Sequence, residues 1–448
     1  MKPNPVLRDV PDYKRFLTVD ELNGSAERLA RQHPQTVRLV PIGRSTDGET
    51  IRMLRIGHGP EQLLFFACPH PNEPIGAMTL EYLSHRLAED DQLRGTRFTW
   101  NLIKCIDPDG TRLNEGWFAG PFTVTHYAAH FYRPAAFHQA EWTFPVVYKT
   151  LTYLTPIPET QALMSAIAGL KPRFIYSQHN AGFGGGYYYL SPDTPLVYDE
   201  LRALLRDRSV PLALGEPEMP WAVAFSPAVY RVPTVTEHYD FLEKYVPGDP
   251  AAKITGGASS FEYARPISNP AMLICELPYF YDTRIENTSP AGMTRKQAIL
   301  DGVACSQEVL GALRDALAPL QGKWAVRSRF VIAVENFIEL IGSSDAAKAQ
   351  WAEHTPELDA PATVAQAFDN LLVTRFYRLL VVGMARRALE LELRRRRSSV
   401  AERAMETLAA RFQEWAHELE RDLDYRVIPI KKLVEIQLGA ALAFLAHL

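Results

Sequence analysis

The chain has 448 residues, 48 Lys and Arg against 52 Asp and Glu, and a net charge of -4. That balance excludes a global basic field for nucleic acid or an anionic membrane, and 47% hydrophobic with 22% charged residues suits a globular chain of two or three domains. Four scattered cysteines (Cys68, Cys105, Cys275, Cys305), with no Cys-x-x-Cys pair, exclude a disulfide framework or a cysteine zinc site and fit a reducing compartment.

The opening Met1-Lys2-Pro3-Asn4-Pro5 lacks the apolar core of a signal peptide. No run of about 18 apolar residues occurs, so a cytoplasmic protein without a membrane span is expected. Residues 18–32 read as a helix, with Thr18 and Glu21 spaced for a capping box. Segments 37–40 and 51–56 alternate apolar and polar about a glycine turn, the pattern of a hairpin. Leu63 to Ala67 reads as a buried central strand, and a helix follows over 75–87. A strand over 98–106 ends at the turn Asp107-Pro108-Asp109-Gly110. Residues 111–153 show no period but are rich in aromatics, which marks a functional irregular stretch.

A helix starts near Pro158, and strands over 174–177, 187–190 and 271–275 follow, with a closing helix over 294–317. Strands alternating with helices predict an α/β fold, a mixed, mostly parallel sheet flanked by helices. After residue 320 helical periods dominate. Residues 1–320 are therefore expected to form the catalytic domain and residues 321–448 an α-helical C-terminal extension. From its apolar last helix, 434–448, the extension is expected either to cover part of the cleft or to mediate homo-oligomer formation. The run Arg394 to Arg397 reads as the charged end of a helix.

Chemistry is concentrated at strand ends. His70 and Glu73 follow the strand at 63–67 and, three apart, face the same way. His179 ends a second strand and Glu276 a third. In an open α/β sheet this is where ligands bind. Two imidazoles and a carboxylate suit a catalytic Zn2+, which takes three protein ligands and lowers the pKa of its bound water to about 7. Glu276 is then the general base that takes the water's proton and passes it to the leaving amine. His126 and His130 share a helical spacing, but Tyr127 stands where a His-Glu-x-x-His motif needs Glu. Ordinary polar contacts are expected for that pair, and one of them, or Glu141, is a candidate cleft residue.

These motifs, taken in order, resemble the zinc metallocarboxypeptidase (carboxypeptidase A-like) family over about residues 10–320. They are His70-Pro-Asn-Glu73, Asp107-Pro108-Asp109-Gly110, Pro158-Glu159-Thr160, Ser177-Gln178-His179 and Cys275-Glu276-Leu277. The form His-Pro-Asn-Glu-Pro-Ile-Gly is closer to the bacterial-type branch than to digestive enzymes. The resemblance implies a zinc metallopeptidase with one Zn2+ per chain, ligands His70, Glu73 and His179, base Glu276, and Arg112 polarising the scissile carbonyl. The family's Asn-Arg pair for a terminal carboxylate is absent. Arg133 is the nearest substitute. Ser259 and Tyr263 fall in a segment resembling the side-chain pocket. The substrate is expected to be a peptide or, as in aspartoacylase-like deacylases, an N-acyl amino acid. A catalytically inactive scaffold is the remaining alternative, and the complete ligand-and-base set weighs against it.

Overall fold

The alternating and doubly apolar segments become nine strands of one mixed sheet in the computed structural model, which describes residues 5–448. Residues 1–4 of the opening stretch lie outside the described residues. The strands are β1 (Val37–Arg44), β2 (Thr50–Ile56), β3 (Glu61–Ala67), β4 (Phe98–Ile103), β5 (Phe174–His179), β6 (Tyr187–Ser191), β7 (Ala224–Ser226), β8 (Val229–Arg231) and β9 (Ala271–Glu276). Their spatial order is β1-β2-β4-β3-β5-β9-β6-β8-β7. At the centre β4, β3, β5 and β9 run parallel. The pairs β1–β2, β2–β4, β9–β6 and β8–β7 are antiparallel.

A parallel centre needs cover on both faces. Leu63, Phe65 and Ala67 of β3 enter one core, and Leu64 and Phe66 enter the other. Each such large side chain stabilises the fold by roughly 1.5–3 kcal/mol. Helices α1 (Val19–Gln32) and α2 (Ile75–Glu89) lie on the first face, and α3 (Pro158–Leu170) covers the second. The Thr18–Glu21 capping box starts α1. Gly76 lets α2 approach the sheet, since a Cβ there would lie 2.6 Å from the Gln178 Cβ.

Two segments depart from the sequence expectation. β4 stops at Ile103, and the Asp107–Gly110 turn opens a short helix, Pro108–Arg112, because the Asp107 carboxylate accepts from the Gly110 N–H at 2.8 Å. Within 111–153 a helix forms over Val124–His130, and Trp117, Phe118, Tyr127 and Tyr132 fill the core.

After α4 (Arg295–Leu317) come α5 (Arg329–Glu353), α6 (Thr374–Arg395), α7 (Ser399–Asp422) and α8 (Ile430–Leu445). Their apolar residues join the core of the sheet's first face. α8 is buried within the chain against α2, so its apolar residues are taken up internally. Gln437 on α8 donates to the His179 carbonyl at 2.9 Å and accepts from Thr79 Oγ1 at 3.1 Å. Arg387 on α6 donates to the carbonyls of Leu113, His130 and Phe131. No described helix is long and apolar enough to cross a membrane.

Candidate metal centre

β3 delivers the first two site residues. Past Ala67 the chain turns through Cys68, whose φ of 53° is left-handed, and into Pro69-His70. Glu73 follows just before α2, with its backbone N–H donating to the His70 carbonyl at 3.0 Å. β5 ends on His179 and its neighbour β9 ends on Glu276, the two residues being paired in register. All four therefore stand at the carboxyl ends of adjacent parallel strands.

Three of them converge. His70 Nδ1 lies 3.0 Å from Glu73 Oε1, His179 Nδ1 lies 3.1 Å from Glu73 Oε2, and the two Nδ1 atoms are 3.2 Å apart. All three side chains are buried. Tetrahedral zinc with bonds of about 2.0–2.1 Å sets its ligand atoms about 3.3 Å apart. The trio thus has the donor types and nearly the spacing of such a site, and it could hold a metal ion. Glu276 Oε1 lies 3.9 Å from His179 Nδ1. Burial holds the Glu276 carboxyl well above the usual range, against the pull of His179.

Surrounding groups hold the three side chains in place. His179 Nε2 lies 2.7 Å from Ser177 Oγ, itself 3.4 Å from Glu141 Oε2. Glu141 Oε1 accepts from the backbone N–H and hydroxyl of Ser260. A proton on Nε2 leaves His179 Nδ1 free for a metal, the usual second-sphere arrangement. His70 differs: Trp142 Nε1–H donates to its Nε2 at 3.1 Å.

The other sequence candidates divide. Arg133 reaches the centre, with Nη1 3.2 Å from Glu73 Oε1. Ser259 lines the same cavity, but its hydroxyl caps a helix through Glu262. Arg112 is outside the cavity lining. Its guanidinium is held by Asp20 and Glu49, both ion pairs. Tyr263 is also outside it, packed against Phe144 with ring centroids 5.4 Å apart. The His126 and His130 rings pack against each other, 4.2 Å between centroids and tilted by 44°, and neither is in the cavity lining. Glu141 does line the cavity, and so do Trp142, Glu218 and Tyr377, which the sequence did not single out as site residues. Trp142 follows Glu141 in a stretch without period, and Tyr377 lies some 200 residues beyond His179, so no local signal pointed to either.

Residues 22–119 match the family described as zinc carboxypeptidase. That stretch holds His70 and Glu73 and ends before His179 and Glu276. Zinc carboxypeptidase A 1 of Anopheles gambiae is 29% identical over 145 residues, covering 29% of this chain and 33% of that protein. The chain thus matches about a third of the length of that curated relative. Carboxypeptidase A from Helicoverpa armigera superimposes with a TM-score of 0.37 at 16% identity, covering 59% of this chain and 65% of that one. A metallo-carboxypeptidase from Burkholderia cenocepacia gives 0.34 at 17%, covering 58% and 60%.

Proposed function

On the premise that residues 22–119 relate this chain to the zinc carboxypeptidases, we propose that it hydrolyses a peptide or amide bond with zinc held by His70, Glu73 and His179. The observation that carries this reading is the convergence of both Nδ1 atoms and the Glu73 carboxylate at spacings of 3.0–3.2 Å, with Glu276 beside them. Bound zinc supplies Lewis acidity and makes water nucleophilic near neutral pH.

The chain's own residues supply the rest. Glu276, 3.9 Å from His179 Nδ1, stands as general base. It takes a proton from the attacking water and returns it to the leaving amine. Arg133 is the cation beside the trio, and its planar fork suits a developing oxyanion or a substrate carboxylate. Ser177 and Glu141 hold the His179 ring in place.

N-acyl amino acid deacylation uses the same four residues. It stands as a second reading because no Asn-Arg pair occurs in the chain and Arg133 alone is the arginine beside the trio. The test is turnover by the zinc-loaded protein of blocked dipeptides, D-amino acid peptides and N-acyl amino acids. Glu276→Gln should keep stoichiometric zinc and lose roughly two orders of magnitude in rate. Retained activity in that variant, or no activity of the parent on any of these substrates, rejects the assignment.

A further inference from the structure

Carboxylates line much of the cavity over the metal centre, and all but one have a partner. Glu73 faces the two imidazoles and Arg133, and Glu276 stands beside His179. Glu141 accepts from Ser260, Glu216 is paired with Arg295, and Asp369 accepts from the Glu216 N–H. The cavity's other cations are engaged too, Arg378 with Asp345 and Lys348 with the charge of Asp369. Glu218 has no cationic partner among the described residues. Its protein contacts are two tyrosine hydroxyls.

Those tyrosines form a cluster. Tyr187 and Tyr189 are two apart on β6, so their rings lie on one face of the sheet. Both hydroxyls donate to the same oxygen, Glu218 Oε2, at 3.2 Å and 2.9 Å. Oε1 receives no hydrogen bond from any described residue. Burial, with the Glu218 charge adding, holds both phenols above their usual range, so they stay donors. Tyr230 on β8 completes the group, its ring centroid 6.2 Å from that of Tyr187 and 5.8 Å from that of Tyr189. Tyr187 is also the register partner of Glu276 across β6 and β9. The cluster therefore begins one strand spacing, about 5 Å, from the metal centre's base.

The geometry points to a subsite for an alkylammonium group of the substrate, with Glu218 as the residue that selects it. An ammonium carries three donors, and Oε1 is an open acceptor. Tyrosine faces attract a cation and accept its carbon stem. Glu218 is exposed at the cavity, so it is open to an incoming group. The ammonium belongs to a lysine-like side chain or to a free amino terminus, which share that head group. The inference rests on the hydrolase reading.

The test is calorimetric binding to the zinc-loaded Glu276→Gln chain at pH 7, where both kinds of ammonium are charged. One arm compares N-acetyl-Ala-Lys with N-acetyl-Ala-norleucine, which lacks the side-chain charge. The other compares Ala-norleucine with its N-acetyl form. In at least one arm the ammonium peptide should bind about tenfold or more tightly than its neutral counterpart. Adding Glu218→Gln, which keeps an acceptor for both tyrosines, should bring that ratio below about threefold at intact zinc content. No preference in either arm, no binding of any peptide, or a preference that survives Glu218→Gln overturns the proposal. Turnover of the same peptides by the parent reports separately on the hydrolase reading: a parent that cleaves them without an ammonium preference keeps that reading and loses the subsite.

Discussion

Replacing Trp142 with Phe should tighten zinc binding. An indole N–H only donates, and it points at His70 Nε2 across 3.1 Å, so that nitrogen carries a lone pair. Burial, with the Arg133 charge adding, keeps the imidazole neutral by lowering it to about 3. The ring proton therefore sits on Nδ1. A metal at Nδ1 requires the opposite tautomer, with the proton on Nε2. Loading then sets two donors face to face. One hydrogen bond worth about 1 kcal/mol is lost, and an unsatisfied donor costs about 1 kcal/mol more. Together these amount to about thirtyfold in affinity. Trp142→Phe keeps an aromatic ring and removes the N–H, so both costs vanish. Competition against a chelator at fixed pH should give a zinc Kd about 10- to 30-fold lower than in the parent. Equal or weaker zinc binding by the variant refutes the tautomer argument.

His179 is the contrasting case: Ser177→Ala removes the group 2.7 Å from its Nε2 and should weaken zinc about tenfold in the same competition, and no change would deny the orienting role. Gly76→Ala places a Cβ 2.6 Å from the Gln178 Cβ and 2.9 Å from the Ala67 Cβ, so overpacking should cost about 1–3 kcal/mol by chemical denaturation. A midpoint equal to that of the parent would show that α2 has room to move. Asp107 is pushed from 3.8 up to about 7, burial being the largest cause. An acid that holds its proton longer when folded costs stability as pH rises from about 4 to about 7, with a ceiling of about 4 kcal/mol. Asp107→Asn keeps a cap acceptor and removes the titration. Its unfolding free energy relative to the parent should climb across that window and flatten above it, and a constant difference counts against the assignment.

What the sequence revealed was what local pattern can carry. β3, β5 and β9 are apolar runs of strand length, and each ends on a polar residue, so His70, His179 and Glu276 could be read as a set. Glu73 followed from helical spacing. The capping pattern that placed α1 also stands at Thr234–Glu237 and Ser259–Glu262, where it starts two helices the reading passed over. Arg112 shows the limit. Its position after the Pro-Asp-Gly turn is fixed by sequence, but its direction is set by Asp20 and Glu49, 92 and 63 residues away. Tyr263 likewise turns to Phe144. That the helical extension covers part of the cleft was an expectation of the sequence, but which of its residues line the cavity could not be read, because α5 and α6 reach the centre through contacts such as Tyr377 to Gly182, 195 residues apart.

Charge at the centre ties the pieces together. A buried carboxylate, Glu73, faces two imidazoles and a guanidinium. Burial opposes a proton on His179, but the hydrogen bond and charge of Glu73 outweigh it and hold the ring up to about 9. A divalent ion at the trio does the same balancing more strongly and must displace that proton. Zinc held by the trio would draw on the same Glu73 carboxylate that Arg133 contacts at 3.2 Å. Arg133 would then share that carboxylate with the ion, in a cavity lined in part by α5 and α6, where its planar fork suits an anionic group of the substrate. Loading the centre and loosening Arg133 toward a substrate anion would be one event, because both draw on the same carboxylate.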